Sequence, residues 1–373
     1  TGIKALPKRT AKFLVPHGIF NLYQQRLVKP IESDLDNKKI AVIAAYDITY
    51  TDLLHNAIKV AGYTPSKKVS DAKYVWLHWY ENGIVDYEKF VQRVTSLKVW
   101  KQQGRKIIFH IHNKKPHEAA IPSVSHALMT VLADSADRVS IMSEPTKDVL
   151  QNIWYYGDDF RKVSKVRHPN YIGSYGKLLK APTSLTDDTL KILFFGLVRP
   201  YKGIEKLLEA TKNLKNVEVS IFGKPKDDQY VADLKALCAD RGNVTFRLEH
   251  IPDNDIPKIF ASHHIVALPY SIESSLNSGA AILALSYART VIGTNNGTLK
   301  ELSDSSVYFG YDYQDEDDHV KQLKKTIQAI HKQYDGKYNE LLKVGERAYQ
   351  LVKKDNSTQA IAESIKVMIE RIG

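Results

Sequence analysis

Arg199 and Lys202 stand three positions apart in the stretch GLVRPYKG, between Gly196 and Gly203. Ahead of them runs the apolar Ile192–Phe195. After them Ile204, Leu207, Leu208, Thr211 and Leu214 keep the three-and-four spacing of a buried helix face. A strand, a short basic turn and a helix start together form an anion trap, because unpaired N–H groups and the positive end of the helix dipole face the ligand. Two cations in such a turn suit a diphosphate. The same residues would also serve an ordinary strand-to-helix turn with two solvated charges. No Gly-x-Gly-x-x-Gly pattern is present in this turn, so nothing in it favours a dinucleotide-dependent dehydrogenase.

Three other loops concentrate polar chemistry. HWYEN, residues 78–82, follows an apolar run. HIHNKKPHE, residues 110–118, follows another and packs three histidines, an asparagine, two lysines and a glutamate into nine residues. His110 and His112 alternate with Ile111 and share one face of an extended strand end, but a His-x-His pair without a fixed third ligand nearby is weak ground for a metal site. Hydrogen bonding to a polyhydroxyl substrate, or plain loop structure, fits these residues better. In LPYSIESSLNSGAAILALS, residues 268–286, Asn277 or Ser278 is a natural N-cap, and Gly279 and Ala280 leave the first helical turn unobstructed. That helix start is a second anion site or a capped structural helix.

Positioning these loops requires a repeating α/β frame. Strand-like runs at 39–45, 73–79, 106–111 and 137–142 alternate with helical patterns at 52–61, 86–103 and 124–133. A polar, turn-rich break, 181–189, separates them from a second alternation. There, strands are expected at 191–196, 217–222, 243–248, 264–268 and 290–293, and helices near 203–214, 228–240, 278–288 and 315–332. The expected fold is α/β, with two Rossmann-like domains at 38–180 and 190–355 whose parallel sheets face each other across a cleft. Amphipathic helices at 337–353 and 357–371 end the chain, and the segment 356–373 is expected to brace the two domains. Residues 1–37 differ from the rest: Lys4, Lys8, Arg9 and Lys12 precede a short pattern in which Ile19, Leu22, Tyr23 and Leu27 share a face. Such a segment either lies on an anionic membrane surface or packs on the protein body.

With 373 residues, 43% of them hydrophobic, the chain is long enough for two cores and has the composition of a soluble protein. Cys238 is the single cysteine, which excludes an internal disulfide framework and a cysteine metal site. No stretch is apolar for the length of a membrane span, and nothing near Thr1 reads as a secretory signal, so a cytoplasmic setting is expected. A formal net charge of +11 calls for an anionic partner: a nucleotide phosphate, an acidic membrane face or nucleic acid.

Taken together, FFGLVRPYKGIEKLLEA, LPYSIESSLNSGAAILALS and TVIGTNNGTLKEL resemble the donor half of GT-B nucleotide-sugar glycosyltransferases of the family 4 type, which build bacterial surface polysaccharides. LHWYEN, IHNKKPHE, SEPTKDVL and VRHPNYIGSYG resemble blocks of the other half in the same order. The resemblance implies that Gly196, Arg199 and Lys202 meet the donor diphosphate and that the helix start Asn277, Ser278, Gly279 and Ala280 supports the distal phosphate and sugar. It also implies that Gly223, Lys224 and Ile251, in the stretches 223–225 and 250–252, lie against base and ribose, and that His112 sits near the reacting carbon. Two departures are visible. Ser275 and Leu283 stand where the family carries two glutamates, with Glu273 two residues off, and Leu197 replaces its commoner arginine. If transfer inverts configuration, Glu81, His112 and Glu118 are the candidate general bases; if it retains, His112 orients the donor sugar.

The chemistry supports the same outcome. Charge grows on the departing diphosphate as the sugar becomes oxocarbenium-like, so fixed cations stabilise the transition state. An Arg/Lys pair can stand in for a divalent metal, and no metal or other cofactor is expected. The leading expectation is a transferase using a UDP-sugar, or a GDP-sugar, and a saccharide or lipid-linked saccharide acceptor. A nucleotide-sugar epimerase and a non-catalytic nucleic-acid binder are the alternatives, though no nucleic-acid motif is present and nucleic acid is not the expected partner.

Overall fold

Continuous apolar runs, rather than alternating ones, mark strands covered on both faces. Val75, Trp76, Leu77, Ile107, Ile108 and Phe109 are fully buried, as are Ile192, Leu193, Phe194 and Ile265–Leu268. The computed structural model describes residues 34–46, 48–115, 121–152, 160–273, 275–302 and 306–372, and in it these runs form two parallel six-stranded sheets, one in each of two compact units. The basic segment 1–33 and Glu118 lie outside the described residues.

Unit 1 comprises the described residues up to Arg167 and those from Thr358 onward. Its strands are β1 (Asp36–Ala44), β2 (Thr64–Ser66), β3 (Ala72–His78), β4 (Lys106–His110), β5 (Arg138–Ile141) and β6 (Val163–Lys165), in the order β2-β1-β3-β4-β5-β6. The order reverses between β1 and β3, and β3 and β4 run in register, with His78 opposite His110. Helix Tyr87–Gln102 begins at Asp86, whose carboxylate accepts the Lys89 N–H at 2.7 Å. The last helix, Thr358–Glu370, is part of this unit's core. Its Ile361, Ala362, Ile365, Met368 and Ile369 pack in one cluster with Leu54, Ala57, Ile58 and Trp76. The Arg138 guanidinium ties that helix down by donating to the Arg371 carbonyl.

Unit 2 comprises His168–Ser357. Its strands are β7 (Leu190–Phe195), β8 (Val217–Phe222), β9 (Val244–Arg247), β10 (Ile265–Leu268), β11 (Thr290–Thr294) and β12 (Phe309–Tyr311), ordered β12-β11-β10-β7-β8-β9. The order reverses between β7 and β10, so the loops leaving these two strands diverge around the crevice where α/β sheets take their ligands.

Unit 2 begins earlier in the chain than the polar break at 181–189 suggests. The stretch after His168 is bonded into it: the Tyr171 N–H donates to Ser286 Oγ at 2.9 Å, Asn170 Nδ2 to the Val352 carbonyl at 3.0 Å, and Asn356 Nδ2 to the His168 carbonyl at 2.7 Å. The strands β2, β6 and β12 and the helices Ile256–Ala261 and Gly297–Glu301 were not legible as elements, because three to six residues carry too little periodicity. Among the described residues no helix is long and apolar enough to cross a membrane.

Candidate active site

In unit 2 the loops after β7 and β8 meet backbone to backbone. The Gly196 N–H donates to the Phe222 carbonyl and the Val198 N–H to the Lys224 carbonyl, both at 3.0 Å. Gly223 is required here: its φ is +148°, and a Cβ would lie 1.7 Å from the Gly196 carbonyl oxygen. Lys224 therefore contributes a carbonyl to this junction while its side chain is exposed. Ile251 is buried and His250 exposed.

The basic turn follows. Pro200–Lys202 makes one turn of 3-10 helix, and Gly203 closes it at φ +63°, with the Pro269 carbonyl oxygen 2.2 Å from where a Cβ would stand. That close approach presses the turn against the exit of β10. The two loops are joined again by the Ser271 N–H donating to the Tyr201 carbonyl at 3.2 Å. Helix Ile204–Ala210 starts immediately after the turn.

Lys202 reaches across to the second loop. Its Nζ donates to the Tyr270 hydroxyl at 2.7 Å and lies 4.0 Å from that ring's centre. Ser278 lies beside the same phenol, and its hydroxyl accepts the Ala281 N–H at 3.1 Å, which makes Ser278 the N-cap of helix Gly279–Ser286. The basic turn and the helix start, 76 positions apart in the chain between Lys202 and Ser278, are thus brought together around one tyrosine. Desolvation, with the Arg199 charge adding to it, pulls the Lys202 ammonium down to about 7. Arg199 is half-buried beside it.

Asn277 is held from the other side, its Oδ1 accepting the Thr298 hydroxyl at 2.9 Å. Gly279 is crowded: a Cβ there would lie 3.2 Å from both His168 Nε2 and the Tyr171 hydroxyl. His168 is kept neutral by burial, down to about 4, with Nδ1 2.7 Å from the Pro169 carbonyl. Of the positions where the resembled family has glutamates, Ser275 and Leu283 are buried, while Glu273 is exposed. Tyr270, His168 and Tyr171 were missed from sequence. A tyrosine directly after a strand-ending proline was the one available signal, and it concerned Tyr270.

Unit 1 gathers the histidines. His78, His110 and His112 are 0%, 1% and 4% exposed. Nδ1 of His78 and Nε2 of His112 are hydrogen-bonded at 2.9 Å, and His110 Nδ1 is 2.8 Å from Ser140 Oγ. Trp79 stacks on His112 with ring centres 3.7 Å apart, and Tyr50 meets the same ring edge-on. Desolvation, with His110 and His55 adding to it, holds His78 well below the usual imidazole range. The third histidine that the pair at 110 and 112 lacked in sequence is supplied by His78, because β3 and β4 are in register at their carboxyl ends.

Glu81, three residues beyond β3, is fully buried, and among the described residues neither carboxylate oxygen has a hydrogen-bond partner. Burial raises it to about 7, against the opposing pull of Arg93. A carboxyl so placed titrates in the range where a general acid or base is useful.

Residues 177–351 match the family described as Glycosyl transferases group 1. The GDP-mannose:glycolipid 4-beta-D-mannosyltransferase of Xanthomonas campestris pv. campestris is 33% identical over 104 residues, which are 27% of this chain and 29% of that relative. The match thus spans under a third of the curated relative's length. Anabaena Alr3699/HepE, solved in complex with UDP and glucose, aligns over 89% of this chain and 99% of its own at 12% identity and a TM-score of 0.63. Sucrose-phosphate synthase from Thermosynechococcus elongatus aligns over 88% of this chain and 97% of its own at 14% identity and a TM-score of 0.66. At these identities the likeness is one of fold. The chain has the GT-B fold, and its residues 177–351 are similar to the group 1 glycosyl transferases.

Proposed function

We propose that the protein is a glycosyltransferase that moves a sugar from a nucleoside-diphosphate donor to a saccharide or lipid-linked saccharide acceptor in glycan synthesis. The observation that carries this reading is the Lys202–Tyr270 hydrogen bond beside the Ser278 cap, which sets a cation and a capped helix start side by side at the sheet's reversal point in the unit matched by the transferase family. Breaking the bond between sugar and diphosphate puts charge on the leaving phosphate. Lys202, Arg199 and the N–H groups at Gly279 and Ala280 are the groups that would receive it. One preorganised donor of this kind is worth about 3 kcal/mol in the transition state, more than a hundredfold in rate.

The acceptor falls to unit 1 in this reading, with His112 and Glu81 as the groups that would orient or deprotonate its hydroxyl. The relatives speak to the donor in two ways, one named for GDP-mannose and one solved with UDP, so both nucleotides belong in the test. Purified protein incubated with radiolabelled UDP- and GDP-sugars and a lipid-linked saccharide should give a labelled acceptor with one of them. Turnover of free nucleotide sugar to an epimer without acceptor would refute it. A cytoplasmic location is part of the proposal, with peripheral attachment of the basic residues 1–30 to anionic lipid; deleting them should abolish vesicle binding.

A further inference from the structure

Buried polar nitrogens need partners, and three imidazoles sealed under Trp76, Trp79 and Tyr50 are costly unless something satisfies them. His78 Nε2 is buried without a hydrogen-bond partner among the described residues. The rings form a closed triangle, with centres 4.7 Å apart for His78 and His110, 4.6 Å for His110 and His112, and 5.2 Å for His78 and His112. One nitrogen from each ring lies within 4.8 Å of the others.

We propose that His78, His110 and His112 bind one divalent transition-metal ion of the zinc class. Tetrahedral Zn–N bonds of about 2.0–2.1 Å place ligand nitrogens about 3.4 Å apart, so modest rotation of the imidazoles about their side-chain bonds closes the site without moving the strands. Three imidazoles with an open fourth position are a known zinc donor set, and nitrogen ligands suit zinc, cobalt, nickel or copper rather than magnesium. The outer contacts are those of a ligand set. Ser140 Oγ, from the neighbouring strand β5, holds His110 Nδ1, while Trp79 fixes the plane of His112. Binding would pin together the carboxyl ends of β3 and β4, where the loops 79–86 and 111–115 begin.

The site shares His112 with the acceptor reading above, where a metal-bound ring would leave Glu81 to deprotonate the hydroxyl, but its test reads metal binding alone, so its failure is distinguishable from the failure of that reading. Full-length protein, freed of any affinity tag and stripped by chelator, is titrated with Zn2+ by calorimetry and with Co2+ by visible absorption. The expected results are one equivalent bound, the intense bands of a four-coordinate cobalt ion, and a higher melting temperature with Zn2+. Excess Mg2+ should not compete. His78→Gln and His110→Gln should abolish the cobalt spectrum. Should either fail to fold, Ser140→Ala keeps all three rings and should weaken affinity by roughly 10- to 100-fold. A folded wild-type protein that binds no Zn2+ and gives no cobalt spectrum would overturn the proposal, leaving a hydrogen-bonded imidazole cluster. So would binding unaffected by His78→Gln or Ser140→Ala.

Discussion

Lys202 Nζ donates to the Tyr270 hydroxyl at 2.7 Å while lying over the same ring, 4.0 Å from its centre. One aromatic side chain thus both hydrogen-bonds and shields the cation, and it stands beside Ser278, the cap of the neighbouring helix. The pair holds the ammonium in one place before any anion arrives, which is the condition under which a charge contact lowers a barrier rather than only tightening binding.

Removing either partner should therefore show in turnover. Lys202→Ala is expected to cut kcat/KM at least a hundredfold, about 3 kcal/mol. Tyr270→Phe keeps the ring and should cost about tenfold, the scale of a single hydrogen bond. Because both act on the same ammonium, the double variant should be little worse than Lys202→Ala alone. Steady-state kinetics of the four proteins, with circular dichroism to verify folding, checks this. Independent, additive losses would contradict the pairing.

Donor binding should take up a proton. With Lys202 near 7 in the free protein, a growing fraction is neutral as pH rises above 7, and a bound diphosphate draws the proton back because it favours the charged form. A sugar-linked diphosphate has no ionisation of its own near neutrality, so the effect belongs to the protein. Calorimetry at pH 8 in buffers of different ionisation enthalpy should report net uptake approaching one proton. Affinity should fall as pH climbs from 7 and level off below it. Lys202→Ala should erase both signals.

Glu81 makes the opposite kind of statement, about stability. Its folded-state value near 7 lies above the 4.5 of the unfolded chain. Between those limits the folded state holds the extra proton, so stability contributed at this position declines as pH rises from 4.5 to 7 and is constant above. Glu81→Gln removes that slope. Relative to wild type it should gain stability across the window, on the order of 3 kcal/mol by pH 7. Urea titrations at pH 5, 6 and 7 measure it, and parallel curves for the two proteins would show that Glu81 ionises normally.

Gly196 and Gly223 both have positive φ but face different surroundings. Space is open around Gly196, so Gly196→Ala should cost only backbone strain, about 1–3 kcal/mol. At Gly223 a Cβ would overlap the Gly196 carbonyl, and Gly223→Ala should cost more than that and disturb donor binding as well. Thermal melts and donor titrations of the two variants separate strain from collision.

Periodicity carried the long elements because it is local. β3, β4, β7, β8 and β10 and the helices 87–102 and 316–334 all repeat a spacing that only one conformation buries. The same holds for the cap at Ser278, since a small hydroxyl residue before a run of small and apolar ones has one favoured use. The basic turn between Gly196 and Gly203 could be read for the same reason. Short edge strands and the true start of unit 2 could not, since hydrogen bonds from Asn170, Tyr171 and Asn356 decide them.

Residue types and their order along the chain determined which loops carry charge and imidazole, and that two α/β sheets would present them. Only the tertiary structure decided which of those groups meet. Register between β3 and β4 set His78 against His110, and the reversal of strand order at β7 and β10 brought Lys202 to Tyr270. Pairings of this kind span 32 and 68 positions between those residues. They follow from how sheets register and close, which no local spacing encodes.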